Sequence, residues 1–347
     1  MIKAMGLMKF FQRIGRILPE DLQEILKRSY LYRYLYMRRK LMSLLPYAVN
    51  IELTTRCNLK CFMCPRPQMG DLKVKDIDFN LLKKIVDNMD TLMSEKISFT
   101  LSGLGEPLIY RRLPDAIEYI KMRYPEVSIH IDTNAILLDK VRSRIFCELL
   151  GRNDQLLFSI NAGTRETYQR MMGADKFDLV VNNVRNFLKI RKIMGRGPKV
   201  VIQLLKTKLT ISEIKIFRET WSRYLDPDDI LFLRPIMNWG GKIDISQVLL
   251  KTRKRRFPCL SLWIGIFIDV EGNAFPCCEC YATREKSDLL LGWVSTDNLK
   301  TIYTNEKLNH IRERHLRGEW DDITDCSQCD SWTFYPNIWI KLGRRWH

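Results

Sequence analysis

The 347-residue sequence has no hydrophobic stretch long enough to cross a membrane. Its longest nearly uninterrupted apolar run, Leu260 to Val270, covers 11 residues and contains Asp269. A membrane-spanning helix needs roughly 20 apolar residues. The N-terminus also lacks the succession of basic, apolar and small residues found in a cleaved signal peptide, so we expect a cytoplasmic protein.

Acidic residues are scarce relative to basic ones, at 40 against 57, which gives a net charge of +17. This charge can attract nucleic acid, anionic lipid or phosphorylated substrates, and it does not choose among them. Hydrophobic residues at 46% and charged residues at 28% exclude a disordered, collagenous or coiled-coil chain. The length predicts one large domain with smaller companions. We expect a basic, aromatic, helical leader over 1–47, a barrel over 48–240 and a cysteine-rich domain over 241–347.

Short apolar runs alternate with longer amphipathic segments from Ala48 onward, as in parallel strands joined by crossover helices. The pattern predicts strands over 48–54, 96–102, 127–132, 155–160, 199–205 and 229–234. It predicts helices near 78–90, 112–124, 137–150, 177–194 and 211–224. Six such units indicate an α/β fold, a partial (β/α)6 TIM-like barrel, whose active site lies at the carboxyl ends of the strands.

Three cysteines follow the first predicted strand. Cys57, Cys61 and Cys64 have the spacing C-x3-C-x2-C on one short loop. Three thiolates can hold three irons of a [4Fe-4S] cluster and leave the fourth iron open. Zinc is the alternative, but it favours four protein ligands in two separated pairs.

These residues resemble those of the radical S-adenosylmethionine (radical SAM) superfamily. The resemblance rests on CNLKCFMC at 57–64, on GEP at 105–107 after the second strand, and on the six-unit pattern. Met63 stands where the family often has an aromatic residue. The resemblance implies that the cluster cleaves S-adenosylmethionine reductively to methionine and a 5′-deoxyadenosyl radical. It also implies an external one-electron reductant of the flavodoxin or ferredoxin type.

S-adenosylmethionine presents an ammonium, a carboxylate, ribose hydroxyls and an adenine, and each needs a partner. Backbone carbonyls around Gly105, Glu106 and Pro107 suit the ammonium. By resemblance, Ser159 and Asn161 match ribose-contacting positions. The remaining candidates for contacts to this cofactor are Asn134, Arg170 for the carboxylate, Gln203, and Arg234 beside adenine.

A second set of cysteines lies near the C-terminus. Cys259, Cys277, Cys326 and Cys329 supply four thiolates, enough for one zinc ion or one closed cubane cluster. Gly272 predicts a hairpin turn between FIDV and AFPC. The pattern resembles the shortened form, often named twitch, of the auxiliary-cluster SPASM domain, and that resemblance favours a second [4Fe-4S] cluster.

Three further cysteines exceed the two ligand sets. Cys278 and Cys280 could replace Cys277 as a ligand, be buried, or face the substrate as hydrogen donors, which makes them weak catalytic candidates. Cys147 lies in a helical apolar pattern and is predicted to be core. His310 and His315 are five residues apart, off a common helical face, so they are not expected to form a metal pair.

The resemblance implies hydrogen abstraction from a C–H bond, with the auxiliary cluster as a possible electron acceptor. We expect a radical SAM oxidoreductase that oxidises a carbohydrate, polyol or lipid-linked saccharide. The alternatives are an epimerase, a ribosomal-peptide-modifying enzyme and, from charge alone, an RNA-binding modification factor, although nucleic acid is not the expected partner. The leader could contact an anionic membrane surface peripherally or pack over the barrel.

Overall fold

A computed structural model describes residues 46–70, 72–91, 97–250, 255–335, 337–339, 341–343 and 345–346. The predicted leader lies almost entirely outside these residues. The strands are β1 (Ala48–Ile51), β2 (Ser98–Thr100), β3 (Ser128–Thr133), β4 (Gln155–Ser159), β5 (Lys199–Lys206), β6 (Ile230–Pro235), β7 (Gly265–Ile268), β8 (Asn273–Phe275), β9 (Gly292–Trp293), β10 (Lys341–Leu342) and β11 (Arg345–Trp346).

The helices alternate with these strands and then continue in the C-terminal part. They are α1 (Phe79–Asp87), α2 (Leu113–Arg123), α3 (Lys140–Leu149), α4 (Arg165–Met172), α5 (Phe177–Met194), α6 (Ile214–Ser222), α7 (Ser261–Ile264), α8 (Leu299–Tyr303), α9 (Glu306–Arg317) and α10 (Thr324–Ser327). Side-chain caps explain several helix starts: Asp78, Asp139 and Thr164 each accept a backbone N–H from the first turn that follows.

Nine strands form one sheet in the order β6-β5-β4-β3-β2-β1-β7-β8-β9. β1 to β6 are parallel neighbours, which confirms the six predicted units and the partial barrel. The structure adds a seventh parallel strand, because β7 pairs with β1, Ala48 facing Gly265. The cysteine-rich region therefore continues the barrel sheet, and the predicted boundary at 240 stays a prediction.

Two faces of each barrel strand have different partners. Ile129 and Ile131 of β3 are fully buried, whereas the alternate side chains His130 and Asp132 are partly exposed. The buried side chains of the other strands pack on the outer helices; Phe158 of β4, for example, lies 5.5 Å from the ring of Phe187 in α5. The apolar core thus lies between sheet and helices, and polar side chains are left for the concave face.

The C-terminal region has two structural anchors. Gly272 turns the chain between β7 and β8 at a φ of +88°, which confirms the predicted hairpin. A second apolar cluster contains Trp332, Trp339 and Trp346, so these tryptophans near the C-terminus are packed. Cys147 is buried in the main core, as predicted. Within the described ranges no helix is both long and apolar enough to span a membrane.

Candidate active site

The three-cysteine loop leaves the end of β1 and brings its thiols together. Cys57, Cys61 and Cys64 are each partly exposed, and the Cys64 amide donates to the Cys61 carbonyl at 3.1 Å. Burial, reinforced by the nearby Cys57 thiol, raises the pKa of Cys64 to about 11. Burial and both neighbouring thiols also raise the pKa of Cys61. Thiols that repel one another as anions need a cation to ionise, so this loop fits an iron cluster held by three thiolates.

The loop after β2 packs directly on the cysteine loop. A Cβ atom on Gly105 would lie 2.1 Å from the Thr54 carbonyl oxygen and 2.7 Å from the Arg56 carbonyl oxygen. The Glu106 amide donates to that Arg56 carbonyl at 2.8 Å. Only glycine permits this approach, so position 105 serves the contact between the two loops.

The Glu106 carboxylate joins the ends of β2 and β3. It accepts hydrogen bonds from the Thr133 hydroxyl at 2.6 Å, the Asn134 amide at 2.8 Å and the Leu108 amide at 3.1 Å. Burial raises its pKa to about 7, against the opposing effect of these donors. The Glu106 side chain is therefore occupied by the protein, and the peptide groups of the GEP segment are what could meet a ligand.

Asn134 and Asn161 both face the cysteine loop. The Asn134 side-chain amide donates to Asn58 Oδ1 at 2.7 Å. Asn161 has a left-handed φ of +57° just after β4, and its side-chain nitrogen lies 3.7 Å from Met172 Sδ. That sulfur lies 3.9 Å from Cys61 Sγ. The structure therefore places both predicted asparagines around the first cysteine site.

Gln203 of β5 and Arg234 of β6 extend this series of contacting polar side chains, which we call the polar chain. Gln203 Nε2 donates to Asn161 Oδ1 at 3.4 Å, and an Arg234 nitrogen donates to Gln203 Oε1 at 3.4 Å. The Arg234 guanidinium lies over the Phe334 ring, 4.2 Å from its centroid. Arg234 thus connects the barrel interior with the C-terminal aromatic segment.

The two other predicted cofactor contacts, Ser159 and Arg170, differ from each other in position and exposure. Ser159, in register with Gln203, is partly exposed on the same face of β4 and β5. Arg170 is exposed on α4, whose residues Met171 and Met172 are buried instead. The structure brings Ser159 to the polar chain, and it leaves Arg170 at the surface.

The four C-terminal cysteines surround one internal cavity. Cys259, Cys277, Cys326 and Cys329 line it together with Glu279 and His315. In the described part of the chain no three His, Cys, Asp or Glu side chains converge on a single metal-ion position. Four thiols around one cavity can hold a cubane cluster, in which each thiolate binds a different iron.

Cys278 and Cys280 both lie beside the Cys277 thiol, each within side-chain hydrogen-bond reach of it, and they differ in exposure. Cys280 is fully buried, and its thiol lies near Asp325 and Ser287. Cys278 is partly exposed and lies 4.0 Å from Glu279 Oε1. Burial lowers the pKa of Arg234, and the Cys278 thiol is one of the groups that oppose this shift, so Cys278 is close to the barrel interior.

Several residues of this region escaped the sequence analysis. Asp132 and Tyr281 lie at the barrel interior, where the Tyr281 hydroxyl donates to Asn50 Oδ1 at 3.0 Å. His315, which the sequence analysis compared only with His310, lines the auxiliary cavity. Asp132 could have been found, since it precedes Thr133-Asn134 on the inward side of a predicted strand. His315 carries no such signal.

Family models match both cysteine sites. The model of the radical SAM superfamily matches residues 51–202, and that of an iron-sulfur cluster-binding domain, SPASM, matches residues 259–330. A tungsten-containing aldehyde ferredoxin oxidoreductase cofactor-modifying protein of Pyrococcus furiosus is 23% identical over 82% of this chain and 88% of its own length. A probable GTP 3',8-cyclase of Saccharolobus islandicus is 30% identical over 79% of this chain and 88% of its own length.

Solved structures show the same fold. BtrN in complex with AdoMet and 2-DOIA aligns with a TM-score of 0.55 at 16% identity, over 82% of this chain and 93% of that one. Streptococcus suis SuiB bound to the precursor peptide SuiA aligns with a TM-score of 0.61 at 13% identity, over 81% of this chain and 70% of that one. With the two cysteine sites and their matching models, the cofactors are S-adenosylmethionine and two iron-sulfur clusters. The chain belongs to the radical SAM superfamily and carries a C-terminal SPASM domain.

Proposed function

We propose that this enzyme dehydrogenates a small hydroxyl-rich substrate, a carbohydrate, polyol or lipid-linked saccharide, between its two cluster sites. When bound, S-adenosylmethionine at the first cluster supplies a 5′-deoxyadenosyl radical for hydrogen abstraction, and the second cluster supplies an electron acceptor. The observation that carries the proposal is the polar concave face of the barrel, where the charged side chains of β3 and β6 interact.

Asp132 and Arg234 are these two charged residues. Asp132 is on β3 and Arg234 on β6, separated in the sheet by β4 and β5. Burial raises the pKa of Asp132, and Arg234 opposes this shift, so the two charges interact across the concave face. Ser102 donates to Asp132 Oδ2 at 3.4 Å, a long contact that leaves the carboxylate open to another donor. Hydroxyl groups of a substrate are such donors.

Oxidation of an alcohol to a carbonyl removes one hydrogen atom, one proton and one electron. The hydrogen atom leaves from carbon, and a nearby base must take the hydroxyl proton. Asp132 has the position for this role, because it lies inside the barrel and its hydrogen bond from Ser102 is long. A raised pKa brings a carboxylate closer to the value of an effective general base at neutral pH.

The test uses anaerobically reconstituted protein with S-adenosylmethionine and dithionite. Polyols and amino sugars deuterated at each C–H position are screened for transfer of deuterium into 5′-deoxyadenosine and for a product that has lost two hydrogens. Asp132→Asn should lower product formation by about 100-fold or more while leaving S-adenosylmethionine binding intact. Asp115→Asn, at an exposed ion pair with Arg112, is the matched control. Full activity of Asp132→Asn would contradict the proposed base.

A radical epimerase is the second candidate, and the position of Cys278 favours it. A thiol outside the four that line the auxiliary cavity, facing Arg234, could return a hydrogen atom to the substrate radical. An epimerisation in D2O would place one solvent deuterium in the product. Cys278→Ala should abolish this incorporation, and Cys280→Ala, at the buried thiol, should not. Loss of two hydrogens without deuterium uptake would exclude the epimerase.

Two partner proposals remain. We infer that a flavodoxin or ferredoxin reduces the first cluster in the cell, and that the basic leader brings the enzyme to anionic membrane surfaces. The leader proposal rests on sequence alone. Flotation with phosphatidylserine liposomes of the full chain and of a chain without residues 1–46 tests it, and equal flotation of both would contradict it.

A further inference from the structure

His315 is a buried histidine on α9 whose ring reaches the auxiliary-cluster cavity. Its side chain is 1% exposed and lines that cavity beside the four cysteines. A backbone hydrogen bond orients the ring, because the Cys259 amide donates to His315 Nδ1 at 3.3 Å. The Trp320 ring lies 5.9 Å from it, centroid to centroid. The cysteine ligand and the imidazole are therefore connected through the backbone.

The hydrogen bond from Cys259 determines which ring nitrogen carries the proton. The Cys259 amide can only donate, so His315 Nδ1 carries a lone pair and no proton, and the ring is neutral. A neutral imidazole has one N–H and one lone pair on its nitrogens. Since Nδ1 accepts from the Cys259 amide, the hydrogen resides on Nε2.

Nε2 is buried and has no hydrogen-bond partner among the residues that the structure describes. A buried N–H without an acceptor is costly and uncommon in folded proteins. The cavity it borders is the one that fits the auxiliary cluster, whose sulfides and thiolates accept hydrogen bonds. A sulfur atom of the cluster would supply the acceptor that the Nε2–H group lacks.

We propose that His315 donates its Nε2–H to a sulfur of the auxiliary cluster and thereby sets the reduction potential of that cluster. A hydrogen bond to sulfur withdraws negative charge, which the reduced cluster carries in excess. The bond therefore stabilises the reduced state and raises the potential. His315 is a positioning residue for the cluster, and the inference depends on the SPASM assignment and not on the proposed substrate.

The experiment is a redox titration of the reconstituted full chain, followed by electron paramagnetic resonance. Cys57, Cys61 and Cys64 are replaced by Ala to remove the signal of the first cluster. His315→Leu should lower the ratio of reduced to oxidised auxiliary cluster about tenfold at a fixed potential, which corresponds to about 59 mV for one electron. His315→Gln, which keeps an amide donor, should recover most of the shift. His310→Ala, at an exposed position of the same helix, should match the parent.

Pulsed resonance on the reduced cluster supplies a direct readout. An exchangeable proton coupling that disappears in D2O and in His315→Leu supports the bond. An unchanged potential in His315→Leu with full iron content would overturn the proposal. A strong nitrogen coupling, or loss of iron in both His315 variants, would also overturn it, since His315 would then be an iron ligand.

Discussion

Replacement of Gly105 by Ala should separate the two loops that form the first cluster site. The added methyl carbon would have to move from 2.1 Å to at least 3.4 Å from the Thr54 carbonyl oxygen to reach an ordinary contact. Both partners are backbone, so no side chain can rotate away. The displacement would also stretch the bond from the Glu106 amide to the Arg56 carbonyl, which precedes Cys57.

Overpacking of this kind costs about 1–3 kcal/mol. If the cost falls on cofactor binding, the dissociation constant of S-adenosylmethionine rises about five- to 150-fold. Isothermal titration of the reconstituted protein measures it, and denaturant unfolding detects any part of the cost that falls on stability instead. Gly70→Ala is the matched control, because no atom lies within 4 Å of its added Cβ. Cofactor affinity and stability that both equal those of the control would contradict this prediction.

Three further predictions concern the ion pairs and the cysteines. Arg191→Met leaves the Asp229 carboxylate buried without its partner at 2.7 Å and should cost about 3–5 kcal/mol in denaturant unfolding, whereas Arg152→Met, at an exposed pair, should cost under about 1 kcal/mol. Although burial acts to raise it, the hydrogen bonds from Arg191 and from backbone amides hold the pKa of Asp229 below its usual value. The pair should therefore stabilise the fold fully above about pH 4 and less as the pH falls through the native pKa. In Asp229→Asn, an acid titration of stability should lack this pH-dependent loss. Iron analysis should give about eight atoms per chain for the parent and for Cys147→Ala, but about four for a combined Cys326→Ala and Cys329→Ala variant, and eight in the latter would contradict the ligand set.

Local sequence patterns were sufficient to predict the six barrel strands and five of the helices between them. Strand alternation and helix periodicity are encoded by neighbouring residues, and their order fixes which loops meet at one edge. The helix α4, Arg165–Met172, was missed because it has only eight residues and a polar composition. Its signals were present, since Thr164 caps its start and Gly173 ends it with a φ of +71°.

Local sequence patterns do not predict which segments far apart in the sequence contact one another. β7 could have formed a hairpin with β8 alone, and nothing in its sequence specifies β1 as its other neighbour. The same holds for His315, which is one of two histidines on α9. Only the packing of α9 against the cysteine segment distinguishes the buried ring from the exposed His310.

One buried carboxylate shows how the two cluster sites are held in fixed relation. Glu52, at the end of β1, accepts from the Leu104 amide at 3.0 Å in the loop that carries Gly105 and from the Val270 amide at 3.3 Å after β7. Arg284, from the segment that follows Cys277, pairs with Glu52 at 3.0 Å and with Asp269 at 3.1 Å. Burial raises the pKa of Glu52, and Arg284 opposes that shift. Because both acids are fully buried, moving the auxiliary segment away would leave two carboxylates without their counter-ion, so the barrel and the auxiliary site must move as one unit.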